Sequence, residues 1–218
     1  MEKINLCKVA YEYLFEHIVA NDFEPGTLIV EGEIGELLNM SRTPVREAMR
    51  RLEVEGLVHK IKDVGIIVNE ITYDDITEIF EMRILFELHA LGNFVKNVTD
   101  DEIKSLEKRL LKLDDSSSEQ EYYNIDRDIH NSIIRACSNS RMVSYLKTIN
   151  AQVEKLRRIS GTTPERLGKS LKEHLTIVQA IRDRDYEKAY ANLVLHLEEV
   201  KKSVIKANRK FKLNKVGK

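Results

Sequence analysis

Four residues in the second half of this 218-residue chain have the types and spacing of a divalent-metal site. Asp126 and His130 stand four apart, so on a helix their side chains emerge one above the other. His174 and His196 are 22 residues apart, on either side of a charged turn at Arg182 to Asp185. At about 1.5 Å per residue they lie ~15 and ~18 Å from residue 184, so two antiparallel helices carry them at nearly one level. One carboxylate and three imidazoles, with coordination positions left over, suit zinc first and also nickel or manganese. The alternative is that each histidine caps or fills something of its own. His17, His59 and His89 share no such spacing and read as ordinary histidines.

A second stretch points to different chemistry. Ser41 to Val58 reads SRTPVREAMRRLEVEGLV. The Ser41 hydroxyl can cap a helix start, and Pro44 falls in the first turn, where a missing N–H is tolerated. Val45, Ala48, Met49 and Leu52 form one buried helix face. Arg42, Arg46 and Arg50 line the opposite one, and Gly56 ends the helix. Such a row is either a solvated face or a surface for the major groove of DNA. In helix-turn-helix docking the first residues of the second helix reach base edges, which are the places of Arg42, Thr43 and Arg46. Arginine bonds guanine O6 and N7 in two-pronged fashion, and threonine reaches a thymine methyl or a phosphate. Arg50 and Arg51, further along, suit phosphates, and the wing tip at Val64-Gly65 suits the minor groove.

The elements around these residues define the fold. The spacing predicts a helix over 3–21, a break at Pro25-Gly26, a short helix over 31–38, and then the arginine-bearing helix. Leu57 to Ile61 and Ile66 to Val68 are β-branched runs joined by Lys62 to Gly65, a hairpin signature. Three helices and a two-stranded wing make a winged helix-turn-helix. From residue 76 no strand pattern remains, and the capping box at Thr99-Asp100-Asp101-Glu102 opens one of about six helices. The fold class is mainly α: a winged helix-turn-helix over 1–70, a linker over 71–75, a helical effector-binding and dimerisation bundle over 76–210, and a lysine-rich tail over 211–218.

Composition agrees. An apolar fraction of 42% and a charged fraction of 33% describe a soluble globular chain. The net charge of −1 excludes a wholly basic nucleic-acid coat but not a local basic surface. Cys7 and Cys137 show no redox or metal spacing, which fits reduced thiols in the cytoplasm. No apolar run approaches the ~20 residues of a membrane helix, so no membrane partner is expected.

Pro25-Gly26, Glu31, the SRTPVREAMRRLEVEGLV string and Gly65 together resemble the DNA-binding domain of the GntR family of bacterial transcription regulators, over residues 8 to 70. The resemblance implies DNA contacts at Arg42, Thr43, Arg46 and Gly65. Two positions depart from it. Ile34-Gly35 stands where the family often has Leu-Ala, and Gly32 stands where some relatives have a basic DNA contact. The bundle resembles the metal-binding effector (FCD) domain of the FadR subfamily, whose motifs appear as DRDIH (Asp126 to His130), Glu173-His174, and His196. This resemblance implies Asp126, His130, His174 and His196 as ligands and a small carboxylate effector near the metal. It also implies effector contacts at Arg83, which with Glu87 forms an Arg-x3-Glu pair, and at Asn139. A simple i, i+4 salt bridge and a helix cap are the competing readings of these last two. The acyl-CoA-responsive scaffold lacks this metal set, so an acyl-CoA ligand is not expected.

The expected function is a ligand-responsive repressor. A homodimer would bind a palindromic double-stranded operator, since two-fold protein symmetry maps onto half-site symmetry. Two alternatives remain at this stage: a regulator for which the metal is itself the signal, and a helical metalloenzyme.

Overall fold

Asn5 opens the first helix, its Oδ1 accepting from the Lys8 N–H at 3.1 Å. That helix, α1 (Leu6–Val19), begins the computed structural model, which describes residues 5–114, 116–160 and 164–216. Residues 1–4, where the expected helix began, lie outside the described residues, as do the side chains of the 211–218 tail. The chain divides into two compact units, residues 1–72 with 147–158, and residues 73–146 with 159–218.

In the first unit α1 is followed by β1 (Leu28–Ile29), α2 (Glu31–Leu37), α3 (Arg42–Val54), β2 (Val58–Ile61) and β3 (Gly65–Val68). Ala10, Leu14 and Ile18 of α1 pack with Val45, Ala48, Met49 and Leu52 of α3 in one buried cluster. The apolar face read from the sequence is therefore the core face. Burying a side chain of this size stabilises by about 1.5–3 kcal/mol.

Two local expectations need correction. Ser41 occupies the N-cap position of α3 but makes no side-chain cap hydrogen bond. An N-cap hydroxyl bonds the N–H of the second or third helical residue; the third here is Pro44, which has none. The wing, expected with two strands, is a three-stranded antiparallel sheet in the order β1-β3-β2. Leu28 pairs with Ile67 and Ile29 with Ile66, and two residues are too few to show a period of 2.

The second unit holds α4 (Tyr73–Asn97), α5 (Asp100–Leu110), α6 (Glu119–Arg135), the start of α7 (Ser140–Ser160), α8 (Pro164–Arg182) and α9 (Tyr186–Val216). Among the described residues these are the six helices expected, with α4 beginning inside the stretch assigned to the linker. The Thr99–Glu102 capping box is formed. A second box, Ser118–Glu121, opens α6; it too was readable as Ser-x-x-Glu. The α8–α9 turn closes on Arg184, at φ +57°. Its guanidinium donates to the Val95 carbonyl at 2.8 Å and to Asp100 at 2.9 Å. No helix among the described residues is long and apolar enough to cross a membrane.

The later part of α7 belongs to the first unit, although the sequence reading gives all of it to the bundle. Ala151 joins the first unit's core. Gln152 donates to the Glu55 carbonyl at 3.0 Å and Lys155 to the Asn69 carbonyl at 3.2 Å. Gly56, just beyond α3, has φ +71°, and a Cβ there would lie 2.1 Å from Gln152 Nε2. A left-handed residue with a Cβ costs about 1–2 kcal/mol, and the flexible amide of Gln152 can move aside. Gly56→Ala is expected to destabilise the chain by about 1–2 kcal/mol in urea unfolding. Unchanged stability would remove the strain assigned to this turn.

Candidate metal centre and DNA-reading helix

Three helices of the second unit bring the four candidate ligands together. Ile125, Ile129 and Ile133 bury one side of α6 in the bundle core, and the adjoining face carries Asp126 and His130. Ile177 and Ile181 fix α8, and Leu193 and Leu197 fix α9, setting the level of His174 and His196. Each of the four offers one ligand atom, and these atoms all lie within 4.8 Å of one another. Asp126 Oδ1 is 3.3 Å from His174 Nε2, 3.7 Å from His130 Nε2 and 3.9 Å from His196 Nε2. His130 Nε2 and His196 Nε2 are 3.2 Å apart. Tetrahedral ligands about 2.0–2.1 Å from a zinc ion stand ~3.3 Å from each other, which is the scale found here. All three imidazoles are buried.

The far side of each ring says more. His130 Nδ1 lies 2.5 Å from Glu87 Oε2, and His196 Nδ1 lies 2.7 Å from Glu173 Oε2. His174 Nδ1 has a longer contact of 3.4 Å with Ser170 Oγ. Burial alone would push the Glu87 carboxyl up, but the charges of Arg83 and His130, with their hydrogen bonds, outweigh it and hold it down to about 2. Burial likewise raises Glu173, and hydrogen bonds from His196 and Arg166 outweigh it and lower the group. Both are therefore carboxylates, acceptors only, so the Nδ1 atoms of His130 and His196 must donate. Burial disfavours the doubly protonated ring of His196. A neutral imidazole has one N–H, so with both rings neutral and Nδ1 donating, two Nε2 lone pairs would face each other across 3.2 Å. A cation between them resolves that repulsion, and Asp126 supplies the matching negative charge. The donor set fits a divalent ion.

The pair Arg83–Glu87 is not the exposed salt bridge that its spacing allowed. Arg83 Nε donates to Glu87 Oε1 at 2.9 Å with side chains only 3% and 1% exposed. Arg83 Nη2 is buried and has no hydrogen-bond partner among the described residues. Asn139 is exposed, and its Oδ1 accepts from the backbone N–H groups of Arg141 and Met142 at 3.1 and 3.2 Å. It caps α7. Glu173 was read only as half of a motif; its contact crosses from α8 to α9, which sequence spacing does not reveal.

On the first unit, Arg42, Thr43, Arg46 and Arg50 are all exposed on α3. Arg46 is oriented by Glu31 of α2, Nε at 2.9 Å from Oε1 and Nη2 at 2.7 Å from Oε2. Arg42 Nη2 lies 3.3 Å from where a Gly32 side chain would begin, so Arg42 covers the space a basic residue at 32 would use. Arg51, expected at phosphates, is stacked 3.7 Å over the Tyr11 ring and bonded to Glu55 at 3.0 Å, with its side chain 58% exposed. Gly65 opens β3 at φ +136°, with Leu28 Cδ1 2.8 Å from where a Cβ would stand. Only glycine fits this corner of the wing.

Known proteins share both halves. Residues 6–68 match the family of bacterial regulatory proteins named gntR, and residues 78–199 match the FCD domain. The chain is 28% identical over 208 residues to the gluconate operon transcriptional repressor of Bacillus subtilis, covering 90% of this chain and 84% of that one. It is 28% identical over 183 residues to the Nta operon transcriptional regulator of Aminobacter aminovorans, covering 83% and 86%. In structure it is similar to a GntR transcriptional regulator from Rhodococcus sp. RHA1, with TM-score 0.77, 20% identity and coverage of 92% and 98%. The zinc-bound FCD domain of TM0439 aligns with TM-score 0.56 and 24% identity over 63% of this chain and 96% of that one. These matches are to transcription regulators and not to enzymes. With a GntR domain ahead of an FCD domain that spans more than half its length, the chain belongs to the GntR family of transcription regulators.

Proposed function

We propose that this regulator is a cytoplasmic repressor of the FadR subfamily that binds a palindromic operator as a homodimer and senses a small carboxylate beside a bound divalent metal. One observation carries the sensing half. Three buried imidazoles turn their Nε2 atoms toward one another and toward Asp126, while a buried guanidinium nitrogen, Arg83 Nη2, stands unpartnered two links behind His130. Asp126, His130, His174 and His196 would hold the ion, zinc in the first place. The ion would supply positive charge for an organic anion, and Arg83 would donate to a carboxylate. The zinc-bound neighbour supports this choice of metal, and the repressor of the gluconate operon among the relatives supports repression.

Arg42, Thr43, Arg46, Arg50 and Gly65 make the DNA surface. Arg46 enters already oriented by Glu31, which lowers the ordering cost of a two-pronged contact. The effector acts only through different affinities for the DNA-competent and DNA-incompetent states. If the metal were itself the signal, adding it would change operator affinity without any carboxylate, so the two readings separate in one binding assay.

Zinc at about 100 times its Kd is expected to stabilise the folded chain by about 2.7 kcal/mol. Thermal unfolding with zinc and with chelator measures this, and coincident curves would contradict the site. Arg46→Ala is expected to weaken specific operator binding roughly 10- to 100-fold while leaving nonspecific DNA binding nearly unchanged. An unchanged specific affinity by fluorescence anisotropy would take Arg46 off the reading face.

A further inference from the structure

Two glutamates outside the ligand set stand directly behind it. Glu87 on α4 meets His130 on α6, and Glu173 on α8 meets His196 on α9. Each is held by an arginine of its own helix. Arg83 donates Nε to Glu87, and Arg166 donates Nη1 and Nη2 to the two Glu173 oxygens at 3.1 and 3.0 Å. Two arginine–glutamate–histidine chains thus cross from one helix to the next and end at Nε2 atoms 3.2 Å apart.

We infer that Glu87 and Glu173 are positioning residues of the metal centre, an inference that rests on the metal reading above. Each holds one ring proton on Nδ1, which fixes the tautomer, aims the Nε2 lone pair at the ion and raises its basicity. His174 Nδ1 meets Ser170 Oγ at 3.4 Å, a neutral partner, whereas the two glutamates bring charged acceptors to the other two rings.

The two chains differ in which can be cut cleanly. Neutralising Glu87 would strand the charge of Arg83 in the core, since both side chains are almost fully buried, and would damage the fold as well as the site. Glu173 and Arg166 are 24% and 13% exposed, so water can take over a released guanidinium. Changing Arg166 alone gives effects of opposite sign: Glu173 loses its bidentate hold, but a negative charge is left uncompensated facing the ion. Changing Glu173 gives effects of one sign, since ring orientation and ring basicity are lost together.

The test is zinc binding by the full chain, stripped of metal and titrated in competition with a chromophoric chelator. Cobalt(II) absorption serves as a second readout. Glu173→Gln is expected to raise the zinc Kd 10- to 100-fold and to shift the cobalt bands, with the chain still folded in chelator by circular dichroism. A folded Glu173→Gln protein that binds zinc as tightly as the parent overturns the inference. Should that variant fail to fold, the pair Arg166→Gln with Glu173→Gln removes both charges and carries the same expectation. A parent chain that takes up no zinc would instead refute the metal reading itself, a separable result.

Discussion

Three imidazoles buried at one point, with two Nε2 atoms 3.2 Å apart, are the constraint on which the helical unit turns. Polar groups of this kind are buried only when they are satisfied. The outer nitrogens are met by Glu87, Glu173 and Ser170. The inner nitrogens face one another and Asp126, an arrangement that a divalent ion would suit. In the proposed function the two needs coincide: the ion that would complete this cluster would also supply positive charge for an anionic effector.

That constraint explains features elsewhere in the unit. The ligands come from α6, α8 and α9, while the glutamates come from α4 and α8, so four helices are tied to one centre. Their levels must match to within an ångström or so, and the α8–α9 turn is fixed by Arg184 through Val95 and Asp100. Capping boxes at Thr99 and Ser118 set where α5 and α6 begin, and hence the height of Asp126 and His130. The winged unit shows the same economy. Glu31 orients Arg46, and Tyr11 with Glu55 orients Arg51.

Local periodicity made much of this legible. The stripe Val45, Ala48, Met49 and Leu52 is the fully buried face of α3. The 22-residue interval between His174 and His196 bridges a turn that leaves them level, because helical rise converts residue counts into lengths. What was not legible depends on partners distant in sequence or on geometry within a single turn. Two-residue β1 has no pattern to read. The cap expected of Ser41 is absent; of the two N–H groups such a hydroxyl can meet, Pro44 removes one. Glu87 looks like half of a surface ion pair because its other partner, His130 on α6, lies 43 residues away. The later part of α7 carries the spacing of any amphipathic helix, and only contacts such as Gln152 with Glu55 reveal that it belongs to the winged unit.

The central claim joins a metal-assisted carboxylate site to control of operator binding. The most direct measurement is operator affinity by fluorescence anisotropy, titrated with a panel of small carboxylates, on metal-loaded protein and on protein stripped by chelator. One carboxylate is expected to lower the affinity of the loaded protein and to leave the stripped protein unaffected. An equal response from both preparations would show that the Asp126, His130, His174 and His196 cluster is not where the signal enters.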